Sequence, residues 1–237
     1  MPVIGYGLLC ALSLAAGGAI AAYRPASDRV RSIFQHAAAG LVFAAAGVEV
    51  LPDVMHRHLP IAATLGFGIG VVVLLAIRAG SDKLCAGRGA TALIAVVVVD
   101  IFIDGLLIGV SAATARSQGQ QALLVTIALA VELLTLGLSI AAELTENGTN
   151  RRRIVVTTST IALTPLAGAI AGYFLGGVLS GAWVEGVLAF AVAALLYLAA
   201  EELLTEAHET AETAAGTAVL LFAFLAMMII HMLTAPA

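Results

Sequence analysis

Val96-Val97-Val98-Val99-Asp100-Ile101-Phe102-Ile103-Asp104-Gly105 is the stretch on which the reading of this chain turns. The run is almost wholly apolar, yet it carries two acids. In a bilayer interior each such acid costs roughly 2.5–3.5 kcal/mol on insertion scales. Four residues apart, Asp100 and Asp104 share one face of a helix. Ser111, seven residues further on, continues the stripe. The segment reads as a membrane-spanning helix whose polar face meets protein rather than lipid.

The rest of the chain agrees with that reading. Of its 237 residues, 61% are hydrophobic and 11% charged, and the mean hydropathy is +1.07. A soluble domain carries about 25% charged residues. This composition excludes an ordinary globular enzyme, a disordered chain and a collagen. With 11 Lys and Arg against 15 Asp and Glu, no basic excess exists to hold nucleic-acid phosphates. Cys10 and Cys85 are too few and too far apart to suggest a disulfide framework or a thiolate zinc site. What remains is an all-α polytopic membrane protein. One span takes about 20 apolar residues, and the runs recur at 3–23, 33–52, 60–77, 90–113, 121–143, 154–178, 183–203 and 216–234. Eight spans leave no room for a soluble domain, so residues 1–237 read as a single transmembrane unit.

Charge between the spans sets the expected orientation. Arg24, Arg29 and Arg31, then Arg78, Lys83 and Arg88, then Arg151, Arg152 and Arg153 fall in alternate loops. Positive loops stay cytoplasmic, which puts both termini outside. The first apolar run has no positive stretch before it and is long enough to span, so it reads as a helix, not a leader. The acidic loop after the seventh span is the exception to the charge pattern.

The fifth span carries a matching polar stripe: Glu132, Thr135, Ser139 and Glu143. Asp100 lies roughly 16 Å into its span at 1.5 Å per residue, and Glu132 lies at a similar depth from the other side. The two helices run antiparallel, so Asp100, Asp104 and Glu132 are expected to meet near the midplane. Three uncompensated carboxyls there would cost on the order of 8 kcal/mol. A bound cation, protons or water in a cavity must offset that. Carboxylate oxygens are hard ligands suited to divalent metals, and no His or Cys is expected at the same depth. The competing reading, protonated acids hydrogen-bonded between helices, suits one buried acid better than three converging ones.

Two further clusters sit at span ends. Glu49, Asp53, His56 and His58 close the second span; Glu201, Glu202, Glu206, His208 and Glu209 close the seventh. Each reads as a metal entrance or exit, or as a solvated helix end. Glu49-Val50-Leu51-Pro52-Asp53-Val54-Met55-His56 and Glu202-Leu203-Leu204-Thr205-Glu206-Ala207-His208 are weakly alike in spans of opposite direction, as in inverted-repeat transporters. His36 and His231 read as interfacial. Pro165 frees the carbonyl of Ile161 and should kink the sixth span. Thr157, Thr160 and Thr164 either line a cavity there or bond back to their own helix.

With these motifs in view, the sequence resembles the ZIP (Zrt/Irt-like) family of divalent metal transporters along its whole length. Asp100-Ile-Phe-Ile-Asp104-Gly105 is similar to the family's His-Asn-x-Pro-Glu-Gly on the fourth span. Glu132-Leu-Leu-Thr-Leu-Gly137 is similar to the related motif on the fifth. Glu49-Val-Leu-Pro-Asp53 and Glu202-Leu-Leu-Thr-Glu206-Ala-His208 resemble the family's span-two and span-seven ends. Thr164-Pro165-Leu166 stands where the family often has Glu-Pro-Leu.

The resemblance implies spans four and five inside a ring of six, an inverted repeat of spans 1–3 and 6–8, and both termini outside. It implies transport of zinc first, or of manganese, iron or cadmium, toward the cytosol by alternating access. No cofactor beyond the transported metal is implied. Asp100, Asp104 and Glu132 take the primary-site positions. The family's second metal position is altered: Ile101, Leu133, Leu136 and Thr164 replace its ligands, and Ile103 and Thr135 replace the motif prolines. A divergent member with one all-oxygen site is expected, in a bacterial inner membrane, with the lipid bilayer and the metal as partners and a homodimer left open. The alternatives are a non-transporting metal sensor or scaffold and a proton-coupled carrier. No enzymatic Ser–His or Cys–His pair at matching depth is read from the sequence.

Overall fold

The computed structural model describes residues 2–24, 26–85, 90–114, 120–208 and 213–234, and these are almost entirely helical. Eight helices among them are long and apolar enough to cross a membrane. We number them α1 (Pro2–Tyr23), α2 (Asp28–Arg57), α3 (Pro60–Cys85), α4 (Ala90–Thr114), α5 (Gln120–Glu146), α6 (Arg151–Val178), α7 (Ala182–Ala207) and α8 (Ala214–Thr234).

Several breaks expected from the sequence are shorter than they read. The expected break from Asp53 to Leu59 is mostly helix. α2 runs on to Arg57, and only His58 and Leu59 link it to α3, with His58 left-handed at φ 56°. α3 likewise runs through Arg78 to Cys85 instead of ending at residue 77. Hydrogen-bonded helix satisfies its own polar backbone, so it extends through charged residues until Gly, Pro or a turn stops it. Asn150 caps α6 by accepting the Arg153 N–H at 2.9 Å. Thus the three arginines form its first turn. The proline in α6 acts as expected: the helix breaks at Ala162–Leu163 and restarts at Thr164, with Pro165 in the first turn of the new segment.

The helices pack in matched pairs. α4 packs most extensively on the second half of α6, and α1 on α5. α3 lies against α7, and α2 against α8. Exchanging α1 with α6, α2 with α7, α3 with α8 and α4 with α5 maps these pairings onto each other. The correspondence extends to backbone detail. α2 and α7 each contain a six-residue π-helical stretch, Ala45–Val50 and Leu198–Leu203. Glu49 and Glu202 occupy the same fifth position in the two stretches. A π turn inserts one residue, rotates the helix beyond it, and is frequent at functional sites.

The centre is broader than a pair inside a ring. In their most apolar stretches α5 is 67% buried, α7 56%, α2 50% and α4 44%, whereas α3 and α8 are 11% buried. α2 and α7 are therefore as central as α4, and α3 and α8 lie at the periphery. Outward-facing side chains such as Leu12, Ile61, Val72, Phe222 and Leu233 are large and apolar, as lipid contact requires.

Between helices in lipid there is no hydrophobic drive to associate, so close packing has to hold them. The α4–α6 seam supplies it: Gly105 and Gly109 face Gly168 and Gly172, each backbone set against a carbonyl of the other helix. Gly17 and Gly137 do the same between α1 and α5. A methyl group at Gly109 would overlap the Ala169 carbonyl, whereas one at Gly5 meets open space. Thermal melts in detergent should show Gly109→Ala destabilised by about 1–3 kcal/mol and Gly5→Ala unchanged or slightly stabilised. Equal melting temperatures would contradict the seam.

Candidate metal centre

The glycine seam holds α4 tightly to α6, and α4 also meets α5. That places three carboxyls together: one oxygen from each of Asp100, Asp104 and Glu132 lies within 4.8 Å of the other two. Asp104 and Glu132 are buried, and Asp100 is partly exposed. Asp104 Oδ2 and Glu132 Oε2 receive no hydrogen bond among the described residues. A buried carboxylate oxygen without a donor is costly, and three acids in contact repel. A cation set between them removes both penalties, and their hard oxygens suit a divalent metal.

The span-seven acids join this cluster. Glu202 lies within hydrogen-bond reach of Asp100, a contact between two carboxyls that requires a shared proton or a shared cation. Glu202 and Glu206 both lie close enough to Glu132 for direct charge interaction. Glu206 accepts from Gln35 Nε2 at 2.5 Å and from Ser139 Oγ at 3.5 Å. Beyond it, His208 meets His36 edge to face, with ring centroids 5.5 Å apart. A polar string therefore runs from the trio through Glu202 and Glu206 toward the end of α7. Glu209 lies outside the described residues.

The other cluster stays apart from the trio. Glu49 is buried and bonded to His231 Nδ1 at 2.7 Å, and its charge reaches Asp53. Glu49 is thus a buried, paired acid, whereas Asp53 is only partly buried. His56 is exposed and bonds back to the Pro52 carbonyl at 2.6 Å, and His58 is exposed in the link. Neither joins a metal-binding group with Glu49 and Asp53 among the described residues.

The structure corrects three expectations and decides a fourth. His36 is not an interfacial residue but is buried in the bundle, while His231, in the last turn of α8 and partly exposed, is also the partner of Glu49. Cys10 is nearer the centre than its position in sequence indicates. It is buried on α1, directs its thiol at the Thr126 carbonyl at 3.8 Å, and interacts with the charges of Asp104 and Glu132. It is not one of the three grouped ligands, which remain all-oxygen. For Thr160 the second of the two readings holds: its hydroxyl bonds back to the Val156 carbonyl at 2.8 Å. Arg78 is not a loop charge but pairs with Glu201 from within α3.

Three polar residues escape a reading of the sequence. Glu185, fully buried near the start of α7, faces Arg57 at 3.8 Å. Gln35 is buried against Glu206. Ser32 donates to the Ala207 carbonyl at 2.9 Å, so its contact with His36 is not a nucleophile–base pair. An acid only four residues into an apolar run is the available signal for Glu185; for Gln35 and Ser32 there is none, since their partners lie more than 170 residues away.

Ile101 and Leu133 are fully buried beside the trio. They offer no donor, which leaves the carboxyls as the ligand set. Asp104→Asn removes one negative charge from a repelling group while keeping its shape. Metal-free Asp104→Asn should therefore melt at or above the temperature of metal-free wild type, yet show no shift on adding manganese or zinc. Wild type should gain about 2.7 kcal/mol at a metal concentration 100 times its dissociation constant. A retained metal shift in the variant would remove Asp104 from the site. Comparison of the chain with protein-family models and with curated proteins finds no match.

Proposed function

We propose that this protein is a divalent transition-metal transporter resembling the ZIP family, carrying its cargo toward the cytosol through the Asp100–Asp104–Glu132 site. One observation carries the reading: three carboxyls from two helices converge in the interior of a membrane bundle, with buried oxygens on Asp104 and Glu132 that no protein donor among the described residues satisfies. A purely structural trio of acids would be expected to satisfy those oxygens within the protein.

The mechanism is alternating access around a fixed site. The matched helix pairings and the twin π turns of α2 and α7 support an inverted repeat; the alternation of positive loops supports both termini outside, and we place the protein in a bacterial inner membrane. Rocking of one half against the other would expose the trio first to one side, then to the other. Glu202 and Glu206 form the path away from the trio at one end, and Glu49 and Asp53 mark the corresponding position at the other. Zinc is the first candidate by resemblance. The oxygen-only donor set also fits manganese and iron(II), which favour carboxylates, and cadmium completes the panel.

Protons and metal compete for the same oxygens, and only deprotonated carboxylates bind metal. Uptake of zinc, manganese, iron(II) or cadmium into proteoliposomes should therefore fall as pH drops from about 7.5 to about 5.5. Asp104→Ala should abolish it, and Glu132→Gln should weaken metal binding by at least about 100-fold, since even outer-shell changes cost 10–100-fold. No flux of any of the four metals through folded, inserted protein would overturn the transporter reading. Uptake that is flat or rising with acid would overturn the carboxylate site.

A further inference from the structure

A cavity of about 220 Å³ opens between α3, α4 and α7 on the flank of the trio. Asp100 and Glu202 line it, and so do Arg78, Tyr197 and Glu201. Arg78 is the cation of this cavity among the described residues. Its guanidinium pairs with Glu201, at side-chain exposures of 47% for both, and hydrogen-bonds Tyr197. Its charge also acts on Glu202, which in turn touches Asp100. One permanent positive charge thus stands in the same chamber as two site carboxyls, drawn aside by a third acid that belongs to no ligand group.

We propose that Arg78 is a tethered counter-cation that takes the place of the metal when the carrier is empty. This rests on the transporter reading. A carboxylate site that has released its cation must return through the membrane interior without it, and uncompensated acids there are expensive. Arg78 cannot lose its proton and presents five donors in a planar fork that suits paired carboxylates. Turning from Glu201 toward Glu202 and Asp100 would carry its flexible stem across the cavity that all four residues line. When metal is bound, the guanidinium is repelled, and Glu201 and Tyr197 hold it aside. Glu201 is then a positioning residue, and Arg78 sets the rate of the empty return and not of the loaded step.

Reconstituted protein tests this with two transport modes. Net uptake into metal-free vesicles needs the empty return; exchange of labelled for unlabelled metal at equal concentrations does not. With the metal that wild type carries, Arg78→Gln should lower the ratio of net uptake to exchange roughly tenfold, and Arg78→Lys should restore part of it. An unchanged ratio overturns the proposal. Equilibrium binding of zinc and manganese gives an independent arm. Arg78→Gln should bind metal roughly twofold to fivefold more tightly, and Glu201→Gln more weakly by a similar factor. Shifts of the same sign in both variants, or none, overturn the proposal. Absence of both transport modes in wild type would instead refute the transporter reading, and the binding arm would still decide whether Arg78 competes with metal.

Discussion

The arrangement depends on one electrostatic constraint: carboxyls held in the apolar interior of a bilayer bundle must be compensated there. Water cannot do it cheaply in that setting, and lipid cannot do it at all. The acids around the central region accordingly have company. Glu49 has His231, Glu185 faces Arg57, Glu201 has Arg78, and Glu206 has Gln35 and Ser139. The trio of Asp100, Asp104 and Glu132 is different in kind, because three acids converge there and Asp100 is met by yet another acid, Glu202. Asp104 Oδ2 and Glu132 Oε2 receive no such hydrogen-bond donor among the described residues.

Bringing three like charges together requires scaffolding that does not yield. Dispersion between closely apposed backbones supplies it, through the glycine faces of α4 against α6 and α1 against α5. These seams are short-range and intolerant of added volume, so they fix the position of Asp104 and Glu132 within narrow limits. α2 and α7 contribute differently. Their π turns interrupt the regular ladder and carry Glu49 and Glu202, of which Glu202 reaches the trio. The rigid pairs set the ligands, and the irregular helices bring the side chains that lead away from them. That division suits the proposed transporter, in which two halves would move around a site of constant geometry.

Much of the fold is legible in the sequence because the relevant signals are local. Eight apolar runs give eight spans, since the bilayer fixes their length. The i,i+4 spacing of Asp100 and Asp104 gives a common face by helix geometry alone. Pro165 gives the break in α6, because its missing N–H is a covalent fact. Where the sequence misleads, the cause is equally physical. Charged residues suggest helix ends before Arg57, Arg78 and Ala207, yet charge does not stop a helix whose backbone remains bonded. The sequence gives no sign that Cys10 lies near the centre, because its neighbours there, Thr126, Asp104 and Glu132, come from other helices.

By itself the sequence determined the class of molecule, the count of spans and the existence of a polar stripe on α4 and another on α5. These depend on hydropathy and helical period, which each residue carries regardless of its distant neighbours. Only the tertiary structure decided that Asp100 and Asp104 of one stripe bring carboxyl oxygens within 4.8 Å of one on Glu132 of the other, that Glu202 meets Asp100, and that Arg78 lines a cavity with both while bound to Glu201. Those outcomes depend on how closely glycine-lined helices approach and how two π turns rotate the ends of α2 and α7. Both are properties of contact between segments that the order of residues along the chain does not display.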